Sequence, residues 1–142
     1  MTTIVYKEGV IAYDSRATAD GTIVDDDAMK LHQKDGVSFF FTGMPAHAEE
    51  MIEAYFKQDD SKPFDSSAIV VDGENIYQYG INKDDGFYRH PIGKDKVFSI
   101  GSGSDHAYTA MDMGCSAVEA VEMAIKRDIY TGGKVRSFLV ER

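Results

Sequence analysis

Thr2 is the first residue equipped for chemistry. It follows the initiator Met, and a small second residue such as Thr permits removal of that Met, leaving Thr2 with a free α-amine. A Thr hydroxyl is a weak nucleophile until a base takes its proton. A terminal amine, with an ordinary pKa of about 7.7–8.0, is near enough to neutrality to be that base, and it belongs to the same residue. Other candidates say little alone. Asp14 and Lys30 read singly as solvated surface charges. Gly43 reads as a strand-to-helix turn glycine and Thr131 as a polar residue at a helix end. The run Asp25-Asp26-Asp27 reads as a solvated loop. The glycines at 101 and 103 lack the third glycine and the lysine of a phosphate-binding loop. His32, His47, His90 and His106 have no metal-ligand spacing. No metal or cofactor is expected.

Composition narrows the setting. The 142 residues suit one domain, read here as spanning 1–142, with 43% hydrophobic and 27% charged residues. The net charge of −9 would repel nucleic acid and an anionic membrane surface. No stretch approaches the roughly 20 apolar residues of a membrane span. The start, Met-Thr-Thr-Ile-Val-Tyr-Lys, has no signal-peptide pattern. The single cysteine, Cys115, cannot make an internal disulfide and reads as a small packed residue. Together these point to the cytoplasm.

The elements that must position Thr2 can be read along the chain. Residues 2–14 form a hairpin, Thr3 to Tyr6 and Val10 to Tyr13, turning at Lys7-Glu8-Gly9. Ser15 to Asp27 is a polar stretch. Ala28 to His32 and Val37 to Phe41 make a second hairpin around Lys34-Asp35-Gly36. Phe39-Phe40-Phe41 suits a strand covered on both faces. A helix starts near Pro45, with an apolar stripe of Ala48, Met51, Ile52, Ala54, Tyr55 and Phe56. Gln58 to Pro63 is a polar loop. A third hairpin joins Ala68–Val71 to Ile76–Tyr79 across Asp72-Gly73, and 80–95 reads as irregular. Val97 to Ile100 is a strand. Two helices follow, split near Gly114, the second opened by the capping box Ser116/Glu119. Val135 to Val140 closes the chain as a strand. Helices segregated from antiparallel strands predict an α+β domain.

Several segments in register resemble one family. Thr2-Thr3-Ile4-Val5 resembles the mature start of proteasome β subunits and of the HslV peptidase. The segment from Gly9 to Thr18 resembles the stretch that follows there. Ala28-Met29-Lys30-Leu31 resembles the strand bearing the family's lysine, and Asp14 to Lys30 spans sixteen residues as expected. Phe41-Thr42-Gly43 is similar to the lead-in to the oxyanion-hole glycine. Ile100-Gly101-Ser102-Gly103-Ser104 and Arg127-Asp128-Ile129-Tyr130-Thr131-Gly132-Gly133 resemble the two later site turns.

The resemblance implies a four-layer αββα sandwich of the N-terminal-nucleophile (Ntn) hydrolase type, with a reduced helix set. It implies a threonine peptidase in which Thr2 attacks and its amine shuttles the proton. Lys30 would lower the hydroxyl pKa, Asp14 would orient Lys30, and the Gly43 N–H would hold the oxyanion. Ser102, Asp128 and Thr131 would hold the amine and a water. Ala17, Ala28, Phe41 and Pro45 fall where the family lines its specificity pocket, here small and apolar. The implied substrate is an unfolded polypeptide. The implied assembly is a homo-oligomeric ring, with an ATP-driven unfoldase as partner.

Three departures bear on this. The Thr2–Asp14 hairpin is shorter than usual by an even count, which keeps both residues on one face. Only one helix fits between the second and third hairpins. No propeptide precedes Thr2, as in HslV, so activity requires loss of Met1. The alternatives are an inactive scaffold subunit and a small-molecule amide hydrolase.

Overall fold

In a computed structural model describing residues 2–43, 45–58, 66–84 and 86–140, strands β1 (Thr3–Lys7) and β2 (Val10–Tyr13) form the first hairpin. Its turn holds Glu8 at φ 50° and Gly9 at φ 80°. Two successive positive φ values give the turn whose twist matches antiparallel strands. Asp20-Gly21 repeats the device and joins β3 (Ala17–Ala19) to β4 (Thr22–Asp25), so the supposed polar stretch is a small hairpin. All of β4 is exposed, which explains why no inside–outside alternation marks it.

The second hairpin pairs β5 (Leu31–Lys34) with β6 (Val37–Phe41). Strand β5 begins at Leu31 rather than Ala28, which leaves Ala28 to Lys30 as a lead-in segment. A single 3-10 turn, Pro45–His47, enters α1 (Ala48–Lys57). The predicted Gln58–Pro63 loop falls mostly outside the described residues. Strands β7 (Ser66–Asp72) and β8 (Asn75–Asn82) form the third hairpin. The stretch expected to be irregular contains β9 (Gly86–Pro91), paired antiparallel along β8. It is an edge strand ending in proline, where the missing N–H costs nothing. Strand β10 (Phe98–Gly101), helices α2 (Ser104–Asp112) and α3 (Ala117–Arg127), and β11 (Arg136–Leu139) complete the chain. Ser116 and Glu119 make both bonds of the capping box at the start of α3.

The larger sheets have the orders β10-β1-β2-β11 and β5-β6-β7-β8-β9. Three apolar clusters relate them to the helices. Ile4, Tyr6, Ile11 and Tyr13 of the first sheet meet Phe40, Ile69 and Val71 of the second. Phe39 and Phe41, on the opposite face of β6, pack under Met51, Ile52 and Tyr55 of α1. Val5 and Ala12, on the outer face of the first sheet, pack under Ala107, Met111, Ala120 and Val121 of α2 and α3. The triple phenylalanine is thus split between two cores, each ring contributing about 1.5–3 kcal/mol by burial.

Register does the positioning. Thr3 lies opposite Gly101 and Ile4 opposite Tyr13, so Thr2 falls opposite Ser102 on one side, while on the other it is Thr3 that falls opposite Asp14. The expected shared face of Thr2 and Asp14 is therefore not a product of strand alternation; their side chains meet beyond the ends of β1 and β2. The Asp14 amide closes on the Thr3 carbonyl at 3.3 Å.

Candidate active site

Asp14 is the hub. It is fully buried, and every polar contact it makes is with a donor. Its Oδ1 accepts from the Thr2 hydroxyl, from the Thr3 amide at 3.2 Å and from Lys30 Nζ at 2.9 Å. Its Oδ2 accepts from the Gly132 amide at 2.9 Å and the Arg16 amide at 3.3 Å. A carboxylate is acceptor-only, so this cage fits its ionised form. The Gly132 contact ties the turn after α3 to the first hairpin, and Ser15 N–H returns a bond to the Gly132 carbonyl at 3.0 Å.

Lys30 reaches this hub from the lead-in to β5. Its ammonium donates to Thr2 Oγ, to Asp14 and to the Arg16 carbonyl at 2.8 Å, and its side chain is only 9% exposed. Burial pulls its pKa below the ordinary value, against the opposing charge and hydrogen bond of Asp14. Thr2 Oγ therefore lies between a buried cation and a buried anion.

A second cluster adjoins it. Ser102 Oγ donates to Asp128 Oδ2 at 2.5 Å and sits 3.4 Å from the Thr2 carbonyl. The Thr131 hydroxyl donates to the same Asp128 oxygen at 2.6 Å and meets Thr3 Oγ at 2.7 Å. Burial opposes ionisation of Asp128, but the Ser102 and Thr131 hydroxyls and the Tyr130 amide outweigh it and hold its pKa below the ordinary value. Asp128 itself caps the end of α3.

Gly43 lines a cavity of about 300 Å³ together with Thr2. A Cβ on Gly43 would come within 2.1 Å of Ser66 Oγ. Gly101 lines it too. At φ +102°, a Cβ there would lie 1.9 Å from the Thr2 carbonyl oxygen. Gly101 thus lets the Thr2 backbone approach closely, and Gly43 leaves room for the Ser66 hydroxyl.

Thr2, Asp14 and Lys30 thus meet in one network, Ser102, Asp128 and Thr131 in the adjoining one, and Gly43 shares the cavity with Thr2. Of the residues expected to line the pocket, Ala17, Ala28 and Phe41 are not in the described cavity lining. Phe41 is buried in the core beneath α1, stacked on Phe39. Ala17 pairs with Asp25 in the small hairpin, and the Ala28 amide bonds to the Ser15 carbonyl. Pro45 begins the 3-10 turn. The described cavity lining instead adds Thr42, Ser66, Ser67, Asn82 and Tyr88. Thr42 stood beside a recognised glycine. Tyr88 reaches the site only through the β8–β9 pairing, which no sequence signal announced. The aspartate run is partly paired: Asp26 with Arg16 at 2.8 Å and Asp27 with Arg136.

No family model matches the chain. The proteasome subunit beta of Methanosphaera stadtmanae is 24% identical over 160 aligned positions, which take in 89% of this chain and 78% of that protein. Among solved structures, BPH of Thiobacillus denitrificans in complex with epoxomicin superposes with a TM-score of 0.70 at 19% identity, covering 99% of this chain and 97% of that one. BPH alone gives 0.69 at 20% identity over the same shares. The fold is proteasome-like. In this proteasome-like chain the hairpin of β1 and β2, though short, delivers Thr2 and Asp14 to the same point, and among the described residues one α-helix stands between β6 and β7.

Proposed function

We propose that the chain is a threonine peptidase of the Ntn-hydrolase type, built as an αββα sandwich. One observation carries the reading: Thr2 Oγ is hydrogen-bonded to both Asp14 and Lys30, and Thr2 lines the same cavity as Gly43. With Met1 removed, the Thr2 amine takes the hydroxyl proton as Oγ bonds to the amide carbon. Lys30 stabilises the developing alkoxide, and Asp14 orients Lys30. The Gly43 N–H receives the oxyanion. On collapse the C–N bond breaks, the amine returns its proton to the leaving nitrogen, and an acyl-enzyme remains for water to hydrolyse. Ser102, Asp128 and Thr131 hold the amine and that water.

The substrate class is an unfolded polypeptide. The BPH structure with epoxomicin, a peptide-like ligand, supports that choice. Exposed Ile23, Val24, Met29, Ile129 and Leu139 leave apolar surface for self-association, in keeping with a ring. A cytoplasmic location and an ATP-driven unfoldase complete the reading. Fluorogenic peptides test it: the chain lacking Met1 hydrolyses them and the Thr2→Ala variant does not. Undiminished hydrolysis by Thr2→Ala refutes it.

A further inference from the structure

The cavity beside Thr2 carries polar side chains where an apolar pocket was expected. Besides Thr2 and two glycines, its described lining is Thr42, Ser66, Ser67, Asn82 and Tyr88. Each of these five offers a hydroxyl or an amide, and none is aliphatic or charged.

The fold builds this lining deliberately. The Thr42 hydroxyl donates to the Ser67 carbonyl at 3.1 Å and meets the Ser67 hydroxyl at 3.0 Å, which fixes both side chains across the β6–β7 pairing. With the Thr42 proton given to that carbonyl, the Ser67 proton turns to Thr42 Oγ, and lone pairs are left to accept. Ser66 Oγ occupies the space that a Cβ at position 43 would fill. Gly80 lies opposite Tyr88 in the β8–β9 register, and a Cβ there would come within 2.3 Å of the Tyr88 hydroxyl oxygen. The tyrosine ring is thus laid across a bare stretch of β8.

We propose that this cavity is a subsite for an uncharged, hydrogen-bonding side chain (Asn, Gln, Ser or Thr) in the residue next to the cleaved bond. The proposal rests on the reading of Thr2 as an amide-cleaving nucleophile. A volume of about 300 Å³ is small for a ligand pocket and has room for a whole side chain. A charged side chain would enter without a counter-ion among the described lining, and burying it unpaired is costly. An aliphatic one would strip water from the hydroxyls and amide without replacing it, the situation in which hydrogen-bonding sites discriminate most strongly.

The test uses the full chain as the Thr2→Ala variant, which traps peptide uncut. Capped peptides that differ at one position, carrying Asn, Leu or Asp, are titrated while the amide NMR signals of Ser66, Ser67 and Asn82 are followed. The Asn peptide is expected to shift those signals and to bind at least about tenfold more tightly than the other two. A second variant that also carries Ser66→Ala and Tyr88→Phe should lose that preference while keeping its dispersed spectrum. Equal or tighter binding of the Leu or Asp peptide, preference that survives the added substitutions, or no shift at those signals overturns the subsite. If the Asn peptide binds as expected but the chain lacking Met1 and retaining Thr2 never cuts it, the peptidase reading falls and the subsite stands.

Discussion

Asp14→Asn is nearly isosteric, so its cost isolates charge and hydrogen bonding. Both oxygens of Asp14 face only donors: Thr2 Oγ, the Thr3 amide and Lys30 on one, the Gly132 and Arg16 amides on the other. An asparagine brings one acceptor and one NH₂ group. Its better orientation turns the NH₂ toward the two backbone amides and orphans both, at about 1–3 kcal/mol each. Breaking a buried ion pair independently costs about 3–5 kcal/mol. These terms overlap and do not add, so the expected loss is about 4 kcal/mol, a large share of a small domain's stability. Urea unfolding measures it. The pH dependence gives a second check. Without Asp14, no anionic partner among the described residues offsets the desolvation of Lys30, whose pKa already lies below its ordinary value. Between that lowered folded value and the unfolded value of about 10.4, the unfolded chain binds more protons, so the variant regains stability as pH rises. Peptide hydrolysis should fall together with stability at neutral pH. A loss below about 1 kcal/mol, or a deficit that grows toward alkaline pH, refutes the picture of Asp14 as an ionised hub.

Other perturbations separate the parts of the site. Gly101→Ala forces a Cβ to 1.9 Å from the Thr2 carbonyl at φ +102° and should cost above about 2 kcal/mol and abolish hydrolysis, read by thermal unfolding and peptide turnover. Asp128 has a lowered folded pKa, so its contribution is present above the unfolded value of about 3.9 and lost as pH falls through that value and below it. Asp128→Asn should therefore flatten the acid side of the stability–pH curve, and parallel curves would contradict this. Ser116→Ala removes the cap of α3, far from Thr2 in the chain, and should cost about 1 kcal/mol in a urea titration while leaving peptide turnover unchanged.

The site was more legible than the pocket around it. Thr2, Asp14, Lys30 and Gly43 carried short local signatures in the right order, and Thr2 meets Asp14 at the open end of the shortened hairpin although the register sets Thr3, not Thr2, opposite Asp14. Phe39-Phe40-Phe41 announced a strand with two covered faces, and its rings do enter two cores. Strands β3, β4 and β9 were missed for physical reasons. The first two form a largely exposed ribbon with no burial pattern, and β9 is an edge strand that ends at Pro91. The pocket depended on β9. Tyr88 meets Ser66 and Thr42 around one cavity only through successive strand pairings, a long-range consequence that no local spacing encodes. Phe41, assigned by resemblance to the pocket, faces α1 because alternation along β6 puts Phe39 and Phe41 on the same side.

The central claim is that Thr2, with a free amine, is the nucleophile. Intact mass measured after treatment with a Thr-directed covalent inhibitor tests it most directly. The expected result is a chain that lacks Met1 and carries a single adduct, absent from Thr2→Ala. A chain that retains Met1 and gains no adduct, or an adduct that forms equally on Thr2→Ala, contradicts it.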